Sequence, residues 1–388
     1  MEDFVFKNRT EIIFGKEKHE EVGEILKRFS KKILFHYGGG SIKRTGLYNT
    51  IVDSLKKSGI DFLEFGGVKP NPGLKLIKEA TKACRENDID FILAVGGGSV
   101  IDSAKAIAIS VPYEGESMWD FIVTDKKPQK ALGVGVILTI PAAGSESSDV
   151  TVVTNEDGML KRGFHNEKIV PRFAILNPEL TYTLPIEQMA YGASDILSHV
   201  MERYFTNTRF VDITDRLCEG TMKTVLENAP LVLQYPDDYN PRAELMWSST
   251  IAHNGLLNTG RTGDWGSHKL AHELSTMYDL AHGATLSIIF PAWMKYVYKQ
   301  KLDSFYKFAV RVFDVDPCFG SAEYVARTGI ERLIGFYRSL DLPTTLAEVG
   351  IDDSGFEKMA ENVVVFGKVG RFVKLDKQDV LAIYELAR

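Results

Sequence analysis

The sequence predicts an α/β domain with a mainly parallel sheet over residues 1–184, followed by an all-helical domain over 185–388. Three observations carry this. Short β-branched or aromatic runs alternate with amphipathic segments in the first half, and each run is closely followed by Gly, Pro or Asn. After Leu184-Pro185 the texture changes to long stretches of helical periodicity with few β-branched runs. At 388 residues, the chain also exceeds the size at which one hydrophobic core stops growing.

The expected strands are 33–37, 62–65, 91–95, 134–140 and 173–176. Between the first three lie amphipathic segments, 47–57 and 73–86. In the second, Leu74, Ile77, Ala80, Thr81 and Cys84 recur at helical spacing, while Lys75, Lys78, Glu79 and Lys82 fall outside that stripe. Strand–helix–strand alternation needs crossover connections, and crossovers make the sheet largely parallel. The boundary falls within 180–185, to about four residues. Beyond it, helical segments are expected at 186–204, 211–233, 241–258, 265–277 and 284–298.

Composition narrows the function. Hydrophobic residues at 44% and charged residues at 25% suit a globular protein, and a net charge of −6 lacks the basic excess of a nucleic-acid binder. No run of about 18 apolar residues exists to span a membrane. The opening Met1-Glu2-Asp3-Phe4 has neither the basic region nor the apolar stretch of a secretory signal. Cys84, Cys218 and Cys318 are sparse, odd in number and far apart, which implies no disulfide framework. The expectation is a cytoplasmic protein whose partner is a small molecule, with no nucleic acid and no membrane.

Two glycine turns are the first chemical signal. In FILAVGGGSVIDSAK an apolar strand runs into Gly96-Gly97-Gly98-Ser99 and then a helix beginning near Val100. Glycines let the backbone approach a ligand closely, and the helix behind them aims free N–H groups and a positive dipole end at it, which suits a pyrophosphate. Asp102 falls in the first helical turn, where a carboxylate is favoured. The pattern is neither Gly-x-Gly-x-x-Gly nor a Walker A loop, so a plain tight turn is an equal reading of this stretch alone. The second turn, Gly38-Gly39-Gly40-Ser41, follows the first expected strand, with Lys43 and Arg44 just after and no carboxylate between Leu34 and Asn49. If it holds an adenosine ribose, NADP(H) is favoured over NAD(H), because nothing there repels a 2′-phosphate. Lys43 and Arg44 as ordinary surface charges is the plainer alternative.

The second signal is a set of metal-ligating side chains. Four of the eight histidines fall in the helical half in such a pattern. Asp195 and His199, in GASDILSHVMERYF, are four apart and project from one helical face. His268 and His272, in GSHKLAHELS, repeat that spacing, and His282 follows before an apolar run that suggests a helix. A carboxylate with imidazoles suits iron, zinc or manganese. Structural-zinc cysteine ligands are absent, which points to a catalytic metal with an open position.

Taken together, these segments resemble the iron-containing alcohol dehydrogenases, nearest to the NADPH-linked aldehyde reductase and butanol dehydrogenase branch. The resemblance runs from IIFGK (12–16) through YGGGS, FGGVKPNP, VGGGSVID, LTIPAAGSES, LNPELTYTLP and GASDILSH to GSHKLAHELS, LAHGATLSIIFPAW and a closing helix after Leu375-Asp376. It implies a dehydroquinate-synthase-like pair of domains, the first dinucleotide-binding and the second metal-binding, and suggests a homodimer. It matches the family's metal ligands to Asp195, His199, His268 and His282, with Fe2+ expected and Zn2+ as the alternative. His272, which spacing alone could not separate from a fifth ligand, matches the active-site histidine beside the metal. Gly38, Gly39 and Ser41 look like contacts to adenosine, and Gly97, Gly98 and Ser99 to the pyrophosphate. Asp102, Thr139 and Lys161 look like neighbours of the nicotinamide half. Ala143 stands where relatives usually carry a threonine before Gly-Ser-Glu, which removes one hydroxyl.

The implied reaction is hydride transfer between NAD(P)H and an aldehyde or alcohol, of short to medium aliphatic length. Rival readings on the same scaffold are a polyol dehydrogenase and a dehydroquinate-synthase-like lyase. The lyase would want several basic residues near the metal, and among the motifs only Lys269 is so placed.

Overall fold

The computed structural model describes residues 1–158 and 160–388. The chain forms two compact units, one of Lys7–Leu184 and one of Pro185–Arg388 joined by Met1–Phe6.

The first unit is built on a six-stranded, wholly parallel sheet. Its strands are β1 (Glu11–Phe14), β2 (Lys32–Gly38), β3 (Asp61–Val68), β4 (Phe91–Gly96), β5 (Gly133–Leu138) and β8 (Phe173–Leu176), in the order β1-β8-β5-β4-β2-β3. The central strand β4, FILAVG, is buried throughout, as its unbroken apolar run requires of a strand covered on both faces. Helices Leu47–Lys57, Leu74–Glu86 and Gly98–Ser110 alternate with the strands. On one side Ile51, Val52 and Leu55 pack into a core with Phe35, Phe91, Leu93 and Phe173.

The order of strands matters for the site. The chain passes from β2 to β3 on one flank, returns to β4 on the other side of β2, and continues outward to β5. The carboxyl ends of β2 and β4 therefore lie side by side, with Tyr37 opposite Val95, at the point where the winding reverses. In open α/β sheets ligands bind in the crevice at such a point. Both glycine turns leave the sheet there.

Three strands escaped the expected pattern. β1 is a four-residue, half-exposed edge strand, too short to show a period. β6 (Val150–Asn155) and β7 (Leu160–His165) form an antiparallel hairpin outside the main sheet. Between them the segment Asn155-Glu156-Asp157-Gly158 carries the Asp-Gly signal of such a turn. β5 ends at Leu138, short of the expected 140, just ahead of Pro141.

The second unit is helical. Its first five helices are Ile186–Tyr204, Asp212–Gln234, Tyr239–His253, Gly266–Tyr278 and His282–Val297. Leu302–Val312, Ala322–Ser339, Phe356–Val363 and Lys377–Leu386 complete it. Buried Phe205, Trp293, Phe305 and Phe308 pack ring against ring, with Phe205 and Phe305 centroids 4.6 Å apart. The last helix starts on a capping box in which Asp376 accepts from the Gln378 and Asp379 amides and Asp379 accepts from the Asp376 amide. Residues Met1–Phe6, expected with the α/β domain, belong here instead. The Glu2 amide donates to the Gly260 carbonyl at 2.9 Å, and the Glu2 carboxylate accepts from Thr208 and Thr262. Among the described residues no helix is long and apolar enough to cross a membrane.

Candidate metal centre and dinucleotide turns

In the helical unit, Asp195 and His199 sit one turn apart on Ile186–Tyr204, with His199 Nε2 3.3 Å from Asp195 Oδ1. His268 and His272 lie on Gly266–Tyr278, and His282 opens His282–Val297. Tertiary packing brings these three helices together. Gly283 is required at that junction, since a Cβ there would overlap the Tyr191 carbonyl. With only hydrogen in its place, the Gly283 carbonyl accepts from Ser194 Oγ at 2.8 Å and His282 is drawn against the Asp195 helix.

Asp195, His268 and His282 each present a ligand atom, all within 4.8 Å of one another. The His268 ring lies 4.7 Å from that of His199 and 5.5 Å from that of His282, centroid to centroid. Among the described residues, Asp195 Oδ1, His199 Nδ1 and His268 Nε2 are buried with no hydrogen-bond partner. Buried polar atoms without partners are costly, and a cation among them is the natural remedy. Burial pushes the His199 imidazole down to about 4, so at neutral pH it is the uncharged form that can ligate. This donor set fits a divalent iron or zinc. Neither His199 nor His272 belongs to that three-residue convergence; His199 is buried beside Asp195, whereas His272 is partly exposed, with its ring 5.1 Å from that of His282 and 6.4 Å from that of His268.

Several neighbours carried no signal in the sequence. Glu202, one turn past His199, is buried and meets His268 Nδ1 at 2.8 Å. His253, at the end of Tyr239–His253, has its ring 4.4 Å from that of His199. Trp265 has a left-handed backbone with φ 65°, and its ring faces His199, His253 and His268. The buried Arg203 guanidinium lies over it at 4.7 Å and donates to the His199 carbonyl at 2.6 Å. None of these residues shares a helical spacing with all the others, so nothing local marked them as one group.

In the α/β unit, helix Gly98–Ser110 starts directly behind β4, with Gly97 extended as its flanking residue. A Cβ at Gly97 would press on Ile140 at 3.1 Å, whereas Gly98 has Ala143 as its nearest neighbour at 3.7 Å. Gly98 and Ser99 stand in the first turn of this helix, where backbone N–H groups have no intrahelical acceptor. The Thr139 amide donates to the Gly96 carbonyl at 3.1 Å, which sets Thr139 beside the same turn.

Asp102 is tied into the protein. Its two carboxylate oxygens accept from Ser145 Oγ at 2.6 Å and from the Val152 amide at 3.1 Å, and burial raises its pKa. Lys105, one turn on and wholly buried, donates to the carbonyls of Ser145, Ser148 and Val150, and burial pulls its ammonium down to about 8. Together they anchor the Ser145 loop and β6 to helix Gly98–Ser110. Lys161, on β7, is buried and donates to Asn71 Oδ1 at 2.8 Å, so it is no solvated surface lysine.

At the other turn, Gly39 has open space where a Cβ would go, and Gly40 has φ 104°, a conformation that favours glycine. Ser41 begins the short helix Ser41–Arg44. Lys43 Nζ lies 2.6 Å from Glu64 Oε1 on β3. Tyr48 Oη donates to Glu64 Oε2 at 2.8 Å, and the Tyr37 hydroxyl donates to Oε1. The hydrogen bond to Glu64 raises the Lys43 pKa.

Comparison with known proteins completes the picture. The iron-containing alcohol dehydrogenase family model matches residues 9–178, and the Fe-containing alcohol dehydrogenase C-terminal model matches 189–388. The chain is 41% identical over 386 residues to a probable NADH-dependent butanol dehydrogenase 2 of Bacillus subtilis, covering 99% of each. It is 36% identical over 392 residues to the NADPH-dependent aldehyde reductase YqhD of Escherichia coli, covering 100% of each. The crystal structure of an NADH-dependent butanol dehydrogenase A from Thermotoga maritima superposes with a TM-score of 0.96 at 40% identity, covering 100% of this chain and 99% of that one. Motifs, fold and these likenesses agree, and the chain belongs to the iron-containing alcohol dehydrogenase family of NAD(P)-dependent oxidoreductases.

Proposed function

We propose that this enzyme transfers hydride between NAD(P)H and short to medium aliphatic aldehydes or alcohols, as the names of its butanol dehydrogenase and aldehyde reductase relatives suggest. The observation that carries the reading is the convergence of Asp195, His268 and His282, with His199 against Asp195 and His272 alongside. Asp195, His199, His268 and His282 hold the metal, Fe2+ with Zn2+ as the alternative. When bound, the metal supplies Lewis acidity to a carbonyl oxygen and the dinucleotide supplies the hydride.

The chain's residues do the rest. The Asp195 carboxylate offsets part of the cation's charge in a buried site. His272, partly exposed beside His282, exchanges the proton of the product hydroxyl with solvent. Gly38, Gly39 and Ser41 receive the adenosine, and Gly97, Gly98 and Ser99 the pyrophosphate. Thr139, Lys161 and Asp102 serve the nicotinamide half, Asp102 by fixing the Ser145 loop. Arg44 has no carboxylate partner among the described residues and favours a 2′-phosphate, so NADP(H) is preferred. Glu64 shares the Lys43 charge and keeps NAD(H) usable. The enzyme works as a cytoplasmic homodimer on small molecules.

The test is metal analysis of protein purified without chelator, together with NADPH absorbance during reduction of butanal. About one iron or zinc per chain and metal-dependent NADPH oxidation are expected. Turnover unaffected by complete metal removal would overturn the reading.

A further inference from the structure

Glu202 is a buried carboxylate on which four donors converge, and the proposed chemistry gives it no direct part. It lies three residues beyond His199 and seven beyond Asp195, so all three project from one stripe of the same helix. One of its oxygens accepts from Ser267 Oγ at 2.6 Å, from the His268 amide at 3.1 Å and from His268 Nδ1 at 2.8 Å. The other accepts from the Trp265 amide.

Two consequences follow from this geometry. Trp265 flanks the start of helix Gly266–Tyr278 without capping it through its own side chain. Glu202 supplies that cap from another helix, satisfying amides of the first turn and complementing the positive helix end. The second consequence concerns His268. A neutral imidazole carries one proton, and a carboxylate facing Nδ1 holds that proton on Nδ1. Nε2 is then an unprotonated lone pair, and it is the His268 atom that is buried with no hydrogen-bond partner among the described residues.

We infer that Glu202 is a positioning residue that locks His268 in the Nδ1–H tautomer and aims its Nε2 at the divalent metal, so that one helix offers two ligands and orients a third. The inference rests on the metal-site reading above. The helix that bears Asp195 and His199 thereby sets both the rotation of the His268 ring and the start of the helix carrying it. Outer carboxylates that accept from a ligating histidine make it a better donor, and their loss typically weakens metal affinity about 10–100-fold.

The test uses the full-length metal-free protein and Co2+ as probe. In Glu202→Ala the Kd for Co2+ should rise about 10–100-fold. In Glu202→Gln, whose amide oxygen can still accept from Nδ1–H, most of the affinity should return. A residue that served only as a helix cap would lower the Tm of Glu202→Ala and leave the Kd of the folded fraction at the parental value. That result would overturn the inference, as would equal weakening in the Gln and Ala variants. Should Glu202→Ala fail to fold, the parent decides: 15N NMR of labelled histidine at about pH 8, with His268 assigned by its loss in His268→Gln, should show the proton on Nδ1. A proton on Nε2 would overturn it. Absence of Co2+ binding by the parent would instead remove the metal site itself, while the tautomer would still be read independently.

Discussion

Lys43 Nζ and Glu64 Oε1 lie 2.6 Å apart, joining the short helix after the Gly38–Gly40 turn to the neighbouring strand β3. The segment 34–49 contains no carboxylate, yet the folded turn has one beside it. The positive charge available to a 2′-phosphate is therefore that of Arg44 together with a Lys43 already shared with Glu64.

Cofactor preference tests this balance. NADPH should give the higher kcat/KM in the parent. Glu64→Gln should widen the NADPH:NADH ratio by roughly two- to fivefold, because an exposed pair released from its partner gains a modest, salt-screened interaction. Gly39→Asp should reverse the preference, and the open space at Gly39 accepts the new side chain without a clash. A parent that uses NADH as well as NADPH, with a ratio indifferent to Glu64→Gln, would leave Lys43 and Arg44 as surface charges.

Metal retention tests the ligand set. His268→Ala or Asp195→Ala should lower bound metal by orders of magnitude and abolish turnover, since each would remove one of the four proposed ligands from a buried site. Elemental analysis after gel filtration makes the comparison. Parental stoichiometry in either variant would strike that residue from the set.

His272 should behave differently. His272→Ala should keep its metal while kcat falls about 10²–10⁴-fold, the range of general acid–base catalysis. A variant that purifies without metal would make His272 a ligand.

His36 predicts an acid-sensitive α/β unit. Its ring is wholly buried in β2, with Nδ1 2.9 Å from the Phe65 carbonyl and Nε2 2.9 Å from Ser103 Oγ. Burial pushes its pKa from 6.5 to about 4. Between those values the unfolded chain binds the proton and the folded one does not. Stability is thus highest above pH 6.5, falls as pH drops to about 4, and loses nothing further from this group below that. The full effect is on the order of 3 kcal/mol. Urea unfolding of the metal-loaded protein from about pH 7 down to about pH 4.5, compared with His36→Gln, should show a shallower slope in the variant. Equal slopes would contradict the prediction.

Much of this protein was legible in the chain. The unbroken apolar run of β4, the glycine turns and the change of period after Leu184 are local properties, and they specified two architectures and where each turn leaves the sheet. Asp195 and His199 were readable as a pair because an α-helix puts residues four apart on one face. The pairing of those residues with His268 and His282 was implied by family resemblance, not by spacing. Only tertiary packing decided the rest. Glu202 and His268 are 66 residues apart, Asp102 and Val152 are 50 apart, and Lys43 and Glu64 sit on different elements. A hydrogen bond between distant segments leaves no periodic trace, because it depends on where two packed elements cross. Such contacts determine the His268 tautomer, the anchoring of the Ser145 loop and the charge beside the Gly38–Ser41 turn.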